Sequence, residues 1–228
     1  MRLSKFLSLS VAMSRNQAKF FIRKGRVSVG GNLVTDPNLE LSDTSDIIFD
    51  GKRISIIPYN YILLHKPKSY VCVTRKSDYT SVLELLKSRS EDRYYHFANV
   101  LGADLTGMVL LSDNAHWTTR MRRKLQSKMC VYQVRLKQAF NEIQLNKISK
   151  AVLAHSKGKI GATIDIQKED EKTILVTTNQ AHTKEIMNTF SSMDLAIERF
   201  HLQKIGRLSL DNLSEGDYLE LSESDMKI

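Results

Sequence analysis

Met108-Val-Leu-Leu111 is an unbroken apolar run, entered through Thr106-Gly107 and closed by Ser112-Asp113. Apolar residues without alternation, in a stretch this short and bounded by glycine and aspartate, suit a strand buried on both faces. Such a strand needs a sheet partner on each edge and a layer above and below. The chain has the means to provide them, since 42% of its 228 residues are hydrophobic, enough for one ordinary core and a small appended module. Other extended segments run over Tyr61 to Leu64, Tyr70 to Thr74, Cys130 to Leu136, Thr173 to Thr177 and Ile197 to Ile205. Helical spacing lies between them, at Val82 to Leu86, at Trp117, Met121 and Leu125, and at Ile186, Met187 and Phe190. The pattern predicts an α+β domain with a mixed, mostly antiparallel sheet flanked by helices.

The first part of the chain reads differently. Leu3, Phe6 and Leu7 recur at helical spacing, and Ser14 stands as the N-cap of a second helix that buries Ala18, Phe21 and Ile22. Gly25 closes that helix. Arg26 to Val29 and Leu33-Val34 flank Gly30-Gly31 as a hairpin, and Ile47 to Phe49 and Ile54 to Ile57 add short β segments. Pro58 marks a linker. The boundaries that follow are a small module over 1–57, a linker over 58–60 and a larger domain over 61–228.

Charge is unevenly spread. The net charge is +9, yet no carboxylate precedes Asp36, while Arg2, Lys5, Arg15, Lys19, Arg23, Lys24 and Arg26 all fall in that region. Between Asp113 and Glu142 there is again none, against Arg120, Arg122, Arg123, Lys124, Lys128, Arg135 and Lys137. Two separated basic surfaces point to a polyanionic partner.

Cys72 and Cys130 are far apart, and the six histidines show no metal-ligand spacing, so neither a disulfide framework nor a metal site is expected. No apolar run reaches the length of a membrane span, and the N-terminus lacks the pattern of a cleaved leader. A reducing, cytoplasmic setting is the expectation. No phosphate-cradling loop, dinucleotide fingerprint, zinc-protease motif or nucleophile elbow occurs.

The N-terminal 57 residues resemble the small RNA-binding module of the ribosomal protein S4 type, through Arg2-Leu-Ser-Lys-Phe-Leu7, Ser14-Arg-Asn-Gln-Ala18 and Ile22-Arg-Lys-Gly-Arg-Val-Ser-Val29. The resemblance implies that Arg2, Lys5, Arg15, Lys24 and Arg26 contact RNA phosphates. The remainder is similar to the catalytic domain of the small-subunit rRNA pseudouridine synthase A (RsuA) family. Leu64 to Cys72 match its opening strand and turn, Ala98 to Asp113 its active-site segment, and Leu208 to Leu221 its closing segment.

Members of that family detach uracil from ribose, turn it and rejoin it through carbon, using an aspartate at the anomeric centre and no cofactor. The nucleotide must first leave its stack. Here the family pattern R-L-D-x-x-T-x-G places Val100 where arginine is expected, Gly102 at the catalytic aspartate and Leu105 at the threonine. In the K-x-Y pattern the base-stacking tyrosine is kept as Tyr132, a residue that also suits an apolar core face, while Cys130 stands for the lysine. The third pattern, E-G-R-x-x-Q-V/I, corresponds to Gln180 to Ile186, with the glycine, arginine and glutamine replaced.

These replacements predict a monomeric protein that binds structured RNA, ribosomal RNA or a pre-ribosomal particle, with impaired or absent isomerase activity. Its second RNA contact falls on Arg120, Arg122, Arg123 and Lys124. Two alternatives stay open. One is an active isomerase that uses another carboxylate, with Asp104, Asp113 and Asp78 as candidates; if the strand continues through Gly102, Asp104 lies about 7 Å too far along it. The other is an assembly or stress factor that turns the old cleft, around Val100, Cys130 and Tyr132, towards a protein partner.

Overall fold

A computed structural model describes residues 1–11, 13–42, 46–56, 59–75, 78–86, 93–156, 165–179, 183–193 and 195–222. The chain divides into two compact units, Met1–Pro58 and Tyr59–Ile228.

The first unit opens with helices α1 (Leu3–Ser10) and α2 (Arg15–Arg23). A capping box starts α2: Ser14 Oγ accepts from Gln17 N at 3.2 Å, and Ser14 N donates to Gln17 Oε1 at 2.9 Å. Strands β1 (Val27–Val29), β2 (Asn32–Val34), β3 (Ile47–Phe49) and β4 (Lys52–Arg53) form an antiparallel sheet in the order β2-β1-β3-β4. The expected second segment from Ile54 is displaced, because pairing with β3 ends at Arg53 and Ile54 only returns its N–H to Ile47 O. Ile57 lies outside the described residues. Leu3, Leu7, Ala18, Ile22, Val27 and Ile47 make the buried core of this unit.

In the second unit β5 (Tyr61–Lys66) leads through a short 3-10 turn at Val82–Leu85 to β6 (His96–Phe97) and β7 (Leu105–Ser112). Then come α3 (Ala115–Leu125), β8 (Met129–Leu136), α4 (Glu142–Ser156), β9 (Asp165–Lys168) and β10 (Thr173–Asn179). Helix α5 (Thr183–Ser192) and strands β11 (Ile197–Ile205), β12 (Leu208–Ser209) and β13 (Tyr218–Leu221) complete it. The sheet runs β13-β5-β7-β11-β8-β10-β9, with β6 on β7 and β12 on β11. Of the pairings between strands among the described residues only β7 with β11 is parallel, so the sheet is mixed and mostly antiparallel.

Strand β7 sits between β5 and β11, and Met108 to Leu111 are wholly buried, as an unalternating apolar run requires. Gly107 has φ +117, and a Cβ there would lie 2.3 Å from the Leu202 carbonyl oxygen. The close β7–β11 approach thus depends on glycine.

Two sequence expectations fail in this unit. Tyr70 to Thr74 form no strand; the segment has only an isolated bridge from Val71 to Ser81, with Val71 N donating to Thr80 O at 3.0 Å. And the stretch around Gly102 is a turn, not strand, closed by Leu105 N donating to Gly102 O at 3.2 Å.

Candidate functional site

The turn at 102–105 precedes β7 and is held from two sides. Ser69 N donates to Ala103 O at 2.8 Å. The ammonium of Lys66, a residue with no solvent exposure, donates to Leu105 O at 2.6 Å and Pro67 O at 2.9 Å. Burial pulls the Lys66 pKa down, partly offset by Cys72, Asp104 and Glu215.

Gly102 itself is unconstrained. Its φ lies outside the left-handed region, and a Cβ added there would meet nothing within 4 Å. Glycine at this position therefore answers no demand of packing or backbone. Val100, the expected arginine position, is 66% exposed.

Asp104 lies in the same turn, so strand spacing does not govern its distance from position 102. It lines a cleft of about 500 Å³ with Lys68, Met187, Ser191, Glu198 and Phe200. Asp113 is committed elsewhere: it pairs with Arg93 and accepts from Asn60 N at 2.8 Å. Asp78 is exposed in a loop.

Across the sheet, Gly107 pairs with Leu202 and Leu202 with Tyr132. Tyr132 is 1% exposed and packs on Phe200, ring centroids 5.1 Å apart, with Phe200 lining the cleft. At 1% exposure the Tyr132 ring is closed to a base in this structure. Cys130 is fully buried, and burial pushes its thiol up to about 12, the Tyr132 side chain holding it back slightly. It is a core residue without nucleophilic character. Val100, Cys130 and Tyr132 therefore line no common cleft, one being on the surface and two in the core. In the third motif, Gln180 to His182 lie outside the described residues.

The first unit gathers part of its expected set. Arg2, Lys5 and Arg15 line a hollow of about 430 Å³, and Lys19 joins them. Sequence reasoning counted Lys19 as basic without selecting it; its place four residues after Arg15 on α2 was the available signal. Arg26 is engaged differently. Its guanidinium forks onto Asp50, with Nε to Oδ1 at 2.6 Å, and lies over Phe21 and Phe49 at 4.5 and 5.3 Å. The Asp50 hydrogen bond raises its pKa. Lys24 lies over the Phe20 ring at 5.8 Å, and neither it nor Arg26 lines the hollow.

On the second unit Arg120, Arg122, Arg123 and Lys124 all project from the exposed side of α3. Trp117, Thr118, Met121 and Leu125 bury the opposite side. Arg122 also donates to Phe97 O at 2.6 Å, which fixes α3 against β6. Basic residues in the last turn complement the helix dipole.

Comparison with known proteins agrees with this architecture. Residues 1–48 match the S4 domain family. The chain is similar over its whole length to the ribosomal small subunit pseudouridine synthase A of Vibrio parahaemolyticus, with 26% identity covering 99% of this chain and 98% of that one. The corresponding protein of Escherichia coli is also 26% identical, covering 99% and 98%. An uncharacterized RNA pseudouridine synthase of Aquifex aeolicus is 29% identical, covering 100% and 95%. Over its whole length the chain is similar to ribosomal small-subunit pseudouridine synthases A. A pseudouridylate synthase crystal structure shares the fold, with TM-score 0.60 at 24% identity over 99% of this chain and 97% of that one. The S4 match falls in the unit with the basic hollow, and the similarity to the synthases continues through the unit with Gly102 in the turn before β7. No helix among the described residues is long and apolar enough to cross a membrane.

Proposed function

We propose that this protein binds structured RNA, ribosomal RNA or a pre-ribosomal particle, in the cytoplasm and as a monomer, and no longer isomerises uridine. Arg2, Lys5, Arg15 and Lys19 hold phosphates in the hollow of the first unit, and Arg120, Arg122, Arg123 and Lys124 provide a second contact. The observation that carries the loss of chemistry is Gly102: the position expected to bear the carboxylate offers open space and no acid. The arginine and lysine expected beside it are an exposed valine and a buried cysteine. Without a carboxylate at the anomeric centre, neither attack on the sugar nor removal of its proton has an agent.

A second reading has one observation in its favour. Asp104 lines the cleft and lies in the same turn as Gly102, so a modest rearrangement would bring a carboxylate towards a bound nucleotide. Incubating the protein with rRNA and counting pseudouridine, with Asp104→Asn as control, separates the two. Binding without product supports the first reading; product lost in Asp104→Asn supports the second and overturns the first.

A further inference from the structure

Successive residues of a strand face opposite ways. Thr106 and His201, paired across β7 and β11, therefore project away from Leu105 and Phe200, which line the cleft. On that far side His65 of β5, His201 of β11 and Glu215 in the turn before β13 bring one donor atom each to within 4.8 Å of one another. The two imidazole rings lie 5.0 Å apart, centroid to centroid, and both residues are 7% exposed.

The hydrogen bonds fix what each group offers. His65 Nδ1 lies 2.6 Å from the Leu213 carbonyl oxygen. A carbonyl only accepts, so Nδ1 carries a proton, and in the singly protonated tautomer Nε2 is the free lone pair. That Nε2 is buried without a hydrogen bond and faces Glu215 Oε1 at 3.9 Å. The half-exposed Glu215 carboxylate and the buried Nε2 face each other as two acceptors, an arrangement that a cation between them satisfies on both sides. A backbone carbonyl behind the ring is also the arrangement that orients metal-ligating imidazoles.

Arg199 is the competitor for this place. Its guanidinium pairs with Glu215, donates from Nε to Thr106 Oγ1 at 3.2 Å and reaches His201 Nδ1 at 3.3 Å. It answers the charge of Glu215 but leaves His65 Nε2 without a donor. Its side chain is 39% exposed, so it has solvent to move into.

We propose that His65, His201 and Glu215 form a binding site for a divalent transition-metal ion of the zinc type, and that Arg199 guards it, releasing Glu215 when metal enters. Two imidazoles and one carboxylate suit such an ion and leave a fourth tetrahedral position for water. The donors close to about 3.4 Å apart, the spacing set by tetrahedral metal–ligand bonds of about 2.1 Å. The bound ion ties the segment bearing Leu213 and Glu215 to β5 and β11. That segment already meets β5 where Gly216 N donates to His65 O at 2.8 Å and His65 N donates to Asp217 O at 3.0 Å.

The test titrates full-length, metal-stripped protein with Co²⁺ and then Zn²⁺, following visible absorption and melting temperature, with circular dichroism of every variant. The expected result is one equivalent of Co²⁺ with tetrahedral-type bands, displaced by Zn²⁺, and a raised melting temperature. His65→Asn and His201→Gln each weaken binding by about 10–100-fold, while exposed His96→Gln and His116→Gln leave it unchanged. Arg199→Gln tightens it about tenfold, a gain that no folding defect imitates. Absence of stoichiometric binding, binding indifferent to His65 and His201, or binding weakened by Arg199→Gln overturns the proposal.

Discussion

The Lys66 ammonium donates to the Leu105 carbonyl at 2.6 Å from a side chain with no solvent exposure. One buried cation thus joins the end of β5 to the turn that carries Gly102 and Asp104. Lys66→Met keeps the side-chain volume but leaves two partly buried carbonyls, Pro67 O and Leu105 O, without their donor. The variant is expected to lose about 1–3 kcal/mol of stability, read as a lower urea midpoint for the transition of the second unit.

The His201 pKa, held near about 3 against an ordinary 6.5, gives stability a pH dependence. The unfolded chain takes up this proton first, so the folded state loses stability as pH falls from about 6.5 towards about 3. The slope from this residue approaches about 1.4 kcal/mol per pH unit within the window. In acid denaturation curves His201→Gln is expected to be flatter than the unsubstituted protein between these limits and parallel to it above pH 7.

Substitutions at the family positions should divide by burial. Gly107→Ala places a Cβ 2.3 Å from Leu202 O in a left-handed backbone and is expected to cost at least about 3 kcal/mol. Cys130→Lys puts an ammonium at a fully buried position and should cost about as much. Gly102→Asp and Val100→Arg meet open space and solvent, so the double variant should melt within a few degrees of the parent. Restoring all three family residues together therefore fails at Cys130, and thermal melts of the separate variants show which one is responsible.

Much of the fold was legible because its signals are local. Met108 to Leu111 specify a doubly buried strand, Ser14 and Gln17 a capped helix, and Gly30-Gly31 a hairpin. Tyr70 to Thr74 read as a strand on side-chain type alone, yet extended residues become a strand only where a partner ladder is free, and β5 has β13 and β7 on its two edges. Helix α4, with Leu145 half-buried and Ile148 buried three residues on, went unread because its apolar stripe is narrow. At the site, the replacements at Val100, Gly102 and Cys130 were plain in the sequence, whereas the packing of Tyr132 against Phe200 was not. The pairing of Arg26 was illegible for the same reason, its partner Asp50 being 24 residues away. Residues that meet across β5, β11 and a distant turn, as His65, His201 and Glu215 do, leave no spacing to recognise.

The basic hollow makes a quantitative claim about RNA. Each phosphate contact removed should lower the slope of log affinity against log salt by about one. Lys5→Ala with Lys19→Ala is expected to weaken binding to structured rRNA fragments and reduce that slope by about two. Arg26→Ala, which breaks an internal ion pair, should lower the melting temperature of the first unit and leave the slope near its original value. Fluorescence anisotropy across a salt series measures both.

The central claim, RNA binding retained without isomerisation, is tested most directly by a single-turnover assay with excess protein on small-subunit rRNA, quantifying pseudouridine and bound RNA in the same samples. The account predicts salt-dependent binding with pseudouridine at the level of the protein-free control. Pseudouridine formed by the unsubstituted protein at a rate well above that control would contradict it.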